Sequence, residues 1–369
     1  MRSGSGRTIG RPTAAWRLLA VLFALTMIAA ACGDDDGDDT AASGSDSASA
    51  SASASGSASE PSTEESDEAT DSGSASEPAE QGGDVETVAF TDDLGRTVDV
   101  PVDPQRIIAF NEFSHAEPLL ALGAPLIGMT DQGGGEFNPP TAAAYDVSGV
   151  TSVGAFAELN VEVIADLQPD LILAYSHTGE WYHNIEVEIL QEIAPTVALN
   201  ENKTRDDFHR AVAELVGYTD EFEAQRTAYF DRVEEVKAKL PADLSVLVIA
   251  SPFDGNISIH SITNPNPTSA IPTDLGIPMP AAAQADDIYV SISPELILEE
   301  FQADVILYEA RGAEVVDTPL WDQLPAVQAG QVYSVDTAAG TSYLHSLQVL
   351  DEIEGYLVGA DASVVDEAG

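Results

Sequence analysis

The chain has 369 residues and a formal net charge of -49, from 63 acids against 14 Lys and Arg. That balance makes nucleic acid and anionic membrane surfaces poor partners for its body, while the length allows two domains with real cores. The one cysteine, Cys32, excludes an internal disulfide.

Residues 1–32 read as a targeting segment. Arg2, Arg7, Arg11 and Arg17 make a basic start, and Leu18 to Ala31 run uncharged into small residues before Cys32. This run is shorter than the roughly 20 residues of a spanning helix, which fits a cleaved signal better than a permanent anchor. Ile28-Ala29-Ala30-Ala31-Cys32-Gly33 resembles a bacterial lipobox, with Ala29 where that motif usually carries Leu. The resemblance implies a lipid on Cys32 and attachment to the outer face of the cell membrane. Residues 33–86 are mostly Asp, Ser, Ala, Gly and Glu without an aromatic residue, so they cannot bury enough apolar surface to fold. As a coil they span about 40 Å, a tether. The folded remainder is acidic too, which suits a solvating surface.

Order begins with a hairpin, Thr87 to Thr91 and Thr97 to Val100 around the turn Asp92-Asp93-Leu94-Gly95-Arg96. Arg106 to Phe110 is a short strand. Ser114-His115-Ala116-Glu117 predicts a capping box for a helix that Gly123 ends, and Pro125-Leu126-Ile127-Gly128 opens the next strand. Gly133-Gly134-Gly135 lacks the Lys-Ser/Thr and helix of a phosphate loop and reads as a plain loop. Asp220 to Lys239 is the longest uninterrupted helix, with Asp220 and Glu223 as its cap, Pro241 as its stop, and Phe222, Tyr229, Val233, Val236 and Leu240 as one apolar stripe.

The two sides of that helix echo each other. Asn160 to Leu173 has a counterpart in Ser293 to Leu307, Leu122-Gly123-Ala124-Pro125 in Leu275-Gly276-Ile277-Pro278, Arg106 to Phe110 in Val246 to Ala250, and Gln191 to Leu199 in Leu324 to Val335. The expected fold is α/β: two similar lobes, residues 87–219 and 241–369, with mostly parallel sheets and flanking helices. One bridging helix, 220–240, joins them, and the ligand cleft lies between.

The order of these pieces resembles the iron-siderophore and cobalamin binding proteins of ABC importers. It is carried by Gly95-Arg96-Thr97-Val98, Arg106-Ile107-Ile108, Leu122-Gly123-Ala124-Pro125, Val153-Gly154 with Asn160-Val161-Glu162, Pro169-Asp170-Leu171-Ile172-Leu173, Ile193-Ala194-Pro195-Thr196-Val197 and Leu324-Pro325-Ala326-Val327. The resemblance implies a monomeric receptor rather than an enzyme, without a cofactor of its own, that delivers a ferric siderophore to a permease and its ATPase. It also implies docking through one Glu on each lobe, Glu162 and Glu295.

Ligands of open parallel sheets bind beyond the carboxyl ends of the strands. Those ends supply Asn111 and Phe113, then Tyr175 and His177, and in the second lobe Phe253 and Arg311, with Trp181 and Tyr182 in the first lobe's following loop. Aromatic rings with polar tips suit a large ligand of apolar outline. Arg311 is the one cation among them, and Arg205 and Arg210 lie before the bridging helix within reach of the cleft. So few cations suit a siderophore of low net charge, a hydroxamate or mixed type, with Arg311 and Asn111 on its metal-bound oxygens. Cobalamin or haem fits the same argument. A receptor for bare zinc or manganese would draw on His115, His177, His183, His209, His260 and His345, none closely spaced as a preformed site. A secreted α/β enzyme is the other alternative, without a Gly-x-Ser-x-Gly elbow or a cofactor fingerprint to support it.

Overall fold

The computed structural model describes residues 86–155, 158–175, 187–200, 203–253, 255–309, 319–335 and 340–365, all within one compact unit. The lipobox, most of the tether, and His177, Trp181, Tyr182, His183 and Arg311 lie outside the described residues.

Strands β1 (Thr87–Thr91) and β2 (Thr97–Pro101) form the opening hairpin. A six-stranded sheet follows: β3 (Ile107–Ala109), β4 (Leu126–Asp131), β5 (Thr151–Ala155), β6 (Glu158–Leu159), β7 (Leu171–Tyr175) and β8 (Thr196–Leu199), in the order β6-β5-β4-β3-β7-β8. Every pair except β5 with β6 is parallel. The central strands β3 and β7 are buried at every residue, as helical cover on both faces requires. That cover comes from α1 (Glu117–Leu122), α2 (Pro139–Ala144), α3 (Val161–Asp166) and α4 (Val187–Gln191).

Two helices, α5 (Arg205–Val216) and α6 (Thr219–Lys237), lead to a second sheet. It holds β9 (Val246–Phe253), β10 (Asn256–His260), β11 (Tyr289–Ile292), β12 (Val305–Glu309) and β13 (Val332–Val335), in the order β11-β10-β9-β12-β13. Its helices are α7 (Pro267–Leu275), α8 (Ile297–Glu300), α9 (Pro325–Gln328) and α10 (Tyr343–Val358). Here one strand interrupts the parallel pattern. β9, β12 and β13 are parallel, and β10 runs antiparallel to both of its neighbours, β9 and β11. The physical reason is the short link after β9, since a two-residue connection permits only a hairpin.

The echo within the sequence is visible in the backbone. Gly123 and Gly276 end α1 and α7 with φ of 75° and 74°, a left-handed closure that glycine makes without a Cβ penalty. The pair α3 and β7 is matched by α8 and β12 in the same order.

The long helix keeps its stripe, with Phe222, Tyr229, Val233 and Val236 buried, but its ends differ from expectation. It starts at Thr219 behind Tyr218, with no side-chain cap, so Asp220 lies inside the first turn rather than at the cap, and the Glu223 carboxylate pairs with Arg210. It stops at Lys237, ahead of Pro241 and Leu240, through the tightened turn Lys239 N–H to Val236 C=O at 2.9 Å. Nineteen residues give about 28 Å of rod. It packs on α5, α7 and α10 rather than standing free between the sheets.

Candidate functional site

Beyond the carboxyl end of β3 the chain turns through Asn111, whose φ of 65° with ψ of 106° is a strained backbone for a non-glycine residue. Its side chain holds the turn in place. Oδ1 accepts the N–H groups of Phe113 (2.9 Å) and Ser114 (3.2 Å), and Nδ2 donates to the Tyr175 hydroxyl. A π-type turn over Glu112–Ala116 then feeds α1. The cap at this point is therefore Asn111, not Ser114, and Glu117 makes no capping box. The Asn111 side chain, expected on a ligand oxygen, is engaged by its own loop.

Tyr175 ends β7 beside this turn and is buried, its ring 4.5 Å from the His115 ring and its hydroxyl 3.3 Å from Ser114 Oγ. His115 is buried in turn, between Tyr175 and Phe208, and hydrogen-bonded to Ser114 and to the Leu199 carbonyl. The structure thus brings Asn111, Phe113 and Tyr175 together. It adds Ser114 and His115, which sequence reasoning treated only as cap and candidate metal ligand.

The neighbouring strand end carries a second polar layer. Glu112 is buried, accepts the Asn138 N–H at 2.8 Å and the Gln132 amide at 3.3 Å, and burial pushes its carboxyl up from the ordinary range. Asp131 accepts the Gly133 N–H and the Ser152 hydroxyl. The two carboxylates thus fasten the start and end of the loop holding Gly133, Gly134 and Gly135.

In the second sheet Phe253 ends β9 and pairs with Asn256. Glu309, at the end of β12, accepts the Asn266 amide at 2.8 Å, and Asn266 also caps α7. His260 Nε2 lies 3.5 Å from Glu309, an ion-pair distance, yet burial pushes the His260 imidazole down to about 3. The ring is neutral at physiological pH, so this contact is not an ion pair. Among the described residues no three His, Cys, Asp or Glu side chains gather as metal ligands.

The cations are committed elsewhere. Arg205 is buried, paired with Asp274 at 2.5 Å and stacked over Tyr229 and Tyr343, so it knits α5 to α6, α7 and α10. Arg210 is spent on Asp206 and Glu223. The docking candidates are both exposed: Glu162 in the first turn of α3 behind the Asn160 cap, and Glu295 in the 3-10 turn Pro294–Leu296 ahead of α8.

The sequence is similar to known proteins over most of this region. A profile described as periplasmic binding protein matches residues 108–339. A putative ABC transporter substrate-binding lipoprotein of Bacillus subtilis is 30% identical over 292 residues, 72% of this chain and 87% of that protein. The Fe(3+) dicitrate-binding periplasmic protein of Escherichia coli is 31% identical over 244 residues, 63% of this chain and 77% of that protein. The structure of a siderophore periplasmic binding protein from the fuscachelin gene cluster of Thermobifida fusca superposes with a TM-score of 0.55 at 28% identity, over 70% of this chain and 98% of that one.

Proposed function

Since the chain belongs to the periplasmic binding protein family, whose matched members are substrate-binding proteins rather than enzymes, we propose that it is the extracytoplasmic receptor of an ABC importer for ferric siderophores. It captures the iron complex between lobes 87–219 and 241–369 and passes it to the permease and its ATPase. It works as a monomer on a tether fixed by a lipid at Cys32. No helix among the described residues is long and apolar enough to cross a membrane.

The ligand is a hydroxamate or mixed siderophore of low net charge. The observation that carries this is the engagement of the cations. Of nine Lys and Arg among the described residues, eight already hold carboxylates or backbone carbonyls. Arg96, Arg205, Arg210, Arg226, Arg232, Lys203 and Lys239 are in ion pairs, and Arg106 donates to the carbonyls of Leu167 and Gln168. Freeing Arg96 or Arg205 for a trianion would strand the buried Asp92 or the largely buried Asp274, at a cost that apolar contact does not return, and freeing Arg106 would leave two carbonyls without their donor. The ninth, Lys237, lies in the last turn of α6. Arg311 is proposed as the ligand's cation, with Trp181, Tyr182, His177, Phe253 and Phe113 as its packing surface. Ferric dicitrate is the second reading, favoured by the 31% identical relative that binds it.

The test is a fluorescence titration of the purified domain, read through Trp181, with a ferric hydroxamate, a ferric catecholate, ferric dicitrate and cobalamin. Preference for the hydroxamate supports the reading. Preference for the catecholate or dicitrate overturns the charge argument, and silence towards all iron complexes overturns the receptor itself.

A further inference from the structure

The turn after β3 presents a hydroxyl whose hydrogen-bonding sense is dictated from behind. His115 Nε2 faces the Leu199 carbonyl at 3.2 Å, and a carbonyl only accepts. His115 is fully buried against the rings of Tyr175 and Phe208. A neutral ring carries one N–H, so the Leu199 carbonyl fixes it on Nε2 and leaves Nδ1 an acceptor. Ser114 Oγ lies 2.9 Å from that Nδ1 and supplies the proton. A serine has only one. Towards every other neighbour its oxygen can only accept, and at 3.3 Å the Tyr175 hydroxyl must be the donor. Asn111 keeps the same sense: its Oδ1 is committed to two backbone N–H groups, so Nδ2 is the atom that meets Tyr175.

From this we infer that Ser114 is a ligand-contact residue of fixed polarity, a hydrogen-bond acceptor held so by His115 as a positioning residue. Ser114 is half-buried, in the turn beyond the carboxyl end of the central strand of its sheet. The chemistry it recognises is an N–H or O–H on the organic framework of the ligand. It does not recognise a metal-bound oxygen, which is itself an acceptor and would meet a lone pair. This rests on the receptor reading and makes it more specific: the first lobe selects siderophores by donors on their backbone, while the metal-bound oxygens are left to Arg311.

The polarity is tested without any ligand by 15N-detected NMR of the histidine rings in the intact folded domain, His115 being assigned by its loss in His115→Gln. The expected result is a neutral Nε2–H tautomer whose Nδ1 signal shifts in Ser114→Ala as its hydroxyl donor is lost. An Nδ1–H tautomer, an imidazolium, or no shift in Ser114→Ala overturns the assignment. The ligand contact is tested with a ferric trihydroxamate bearing backbone amide N–H groups and with its N-methylated analogue. Ser114→Ala should weaken the first by about three- to tenfold, the yield of one buried hydrogen bond, and leave the second unchanged. Equal effects on both analogues, or none on either, overturn the contact. Failure of the unsubstituted domain to bind either complex defeats the receptor reading, and with it the donor selectivity, while the NMR result still decides the polarity of Ser114.

Discussion

The Glu117 carboxylate of α1 accepts the backbone N–H of Ser342, 2.9 Å away and 225 residues later in the chain. It also accepts the Thr341 N–H at 2.9 Å, the Ser342 hydroxyl at 2.6 Å and the Tyr145 hydroxyl. One buried acid therefore joins the first sheet's helical cover to the amino end of α10, where the helix dipole favours a negative charge. Glu117→Ala strands these donors and is expected to lower the unfolding free energy by about 3 kcal/mol in urea denaturation. Gly340 lies so close that a Cβ there would overlap the Glu117 side chain. Gly340→Ala should cost about 1–3 kcal/mol alone and distinctly less in the Glu117→Ala background. Additive losses would show that the two residues do not share this space.

Asn111 gives a prediction with an internal comparison. Asn111→Ala loses the acceptor for two backbone N–H groups and keeps the strained φ of 65°. Asn111→Gly loses the same acceptor but not the strain. Both are destabilising, and the glycine variant should be the more stable by about 1 kcal/mol. If the two unfold at the same denaturant concentration, the backbone at this position is not under strain.

Two buried histidines set the response to acid. Burial, reinforced by the Arg205 charge, pushes His209 down to about 3, and burial alone does the same to His260. Both are ordinary in the unfolded chain, near 6.5, so between about 6.5 and 3 the unfolded state binds more protons and stability falls as pH falls. The slope approaches about 1.4 kcal/mol per pH unit for each ring. Glu112 opposes it, because a carboxyl raised by burial favours the folded state as it protonates. Urea denaturation at pH 7.5 and 5.5 should show a loss, and His260→Gln should flatten it. A pH-independent midpoint over that interval would contradict the buried neutral rings.

The apolar pattern made the skeleton legible. The stripe on α6, the runs Leu171 to Leu173 and Val246 to Ile249, and the paired Gly123 and Gly276 are local signals that tertiary structure obeyed. What stayed hidden were side chains whose partners are remote. Ser114 and Glu117 fit a capping box on spacing, yet the turn starts earlier, at Asn111, whose Oδ1 accepts the N–H groups of Phe113 and Ser114. Glu117 then turns to residues beyond 340, which no local window contains. Arg205 looked like a spare cation for the cleft, and only the fold reveals Asp274 and the two tyrosine rings around it. A signal for the buried acid was present: Glu117 stands at the head of an otherwise apolar helix, EPLLAL, where a charge without a distant partner would be costly.

Glu162 and Glu295 occupy matching places in the repeated unit, one at the start of α3 and the other in the turn ahead of α8, and both are exposed. The Glu295 carboxyl is held below its usual range by the Ser293 hydroxyl, so it is ionised at neutral pH. Neither residue has an ion-pair partner among the described residues, although the same chain commits eight cations elsewhere. As exposed helix-terminal acids they interact only weakly with the dipole. Replacement of both by Ala should therefore leave the urea midpoint and ligand affinity unchanged. Docking to positive residues on a permease predicts a different outcome for transport: uptake of the iron complex in cells should be lost, and restored in part by Glu→Asp at both sites. Normal uptake by the double Ala variant would reduce both glutamates to caps.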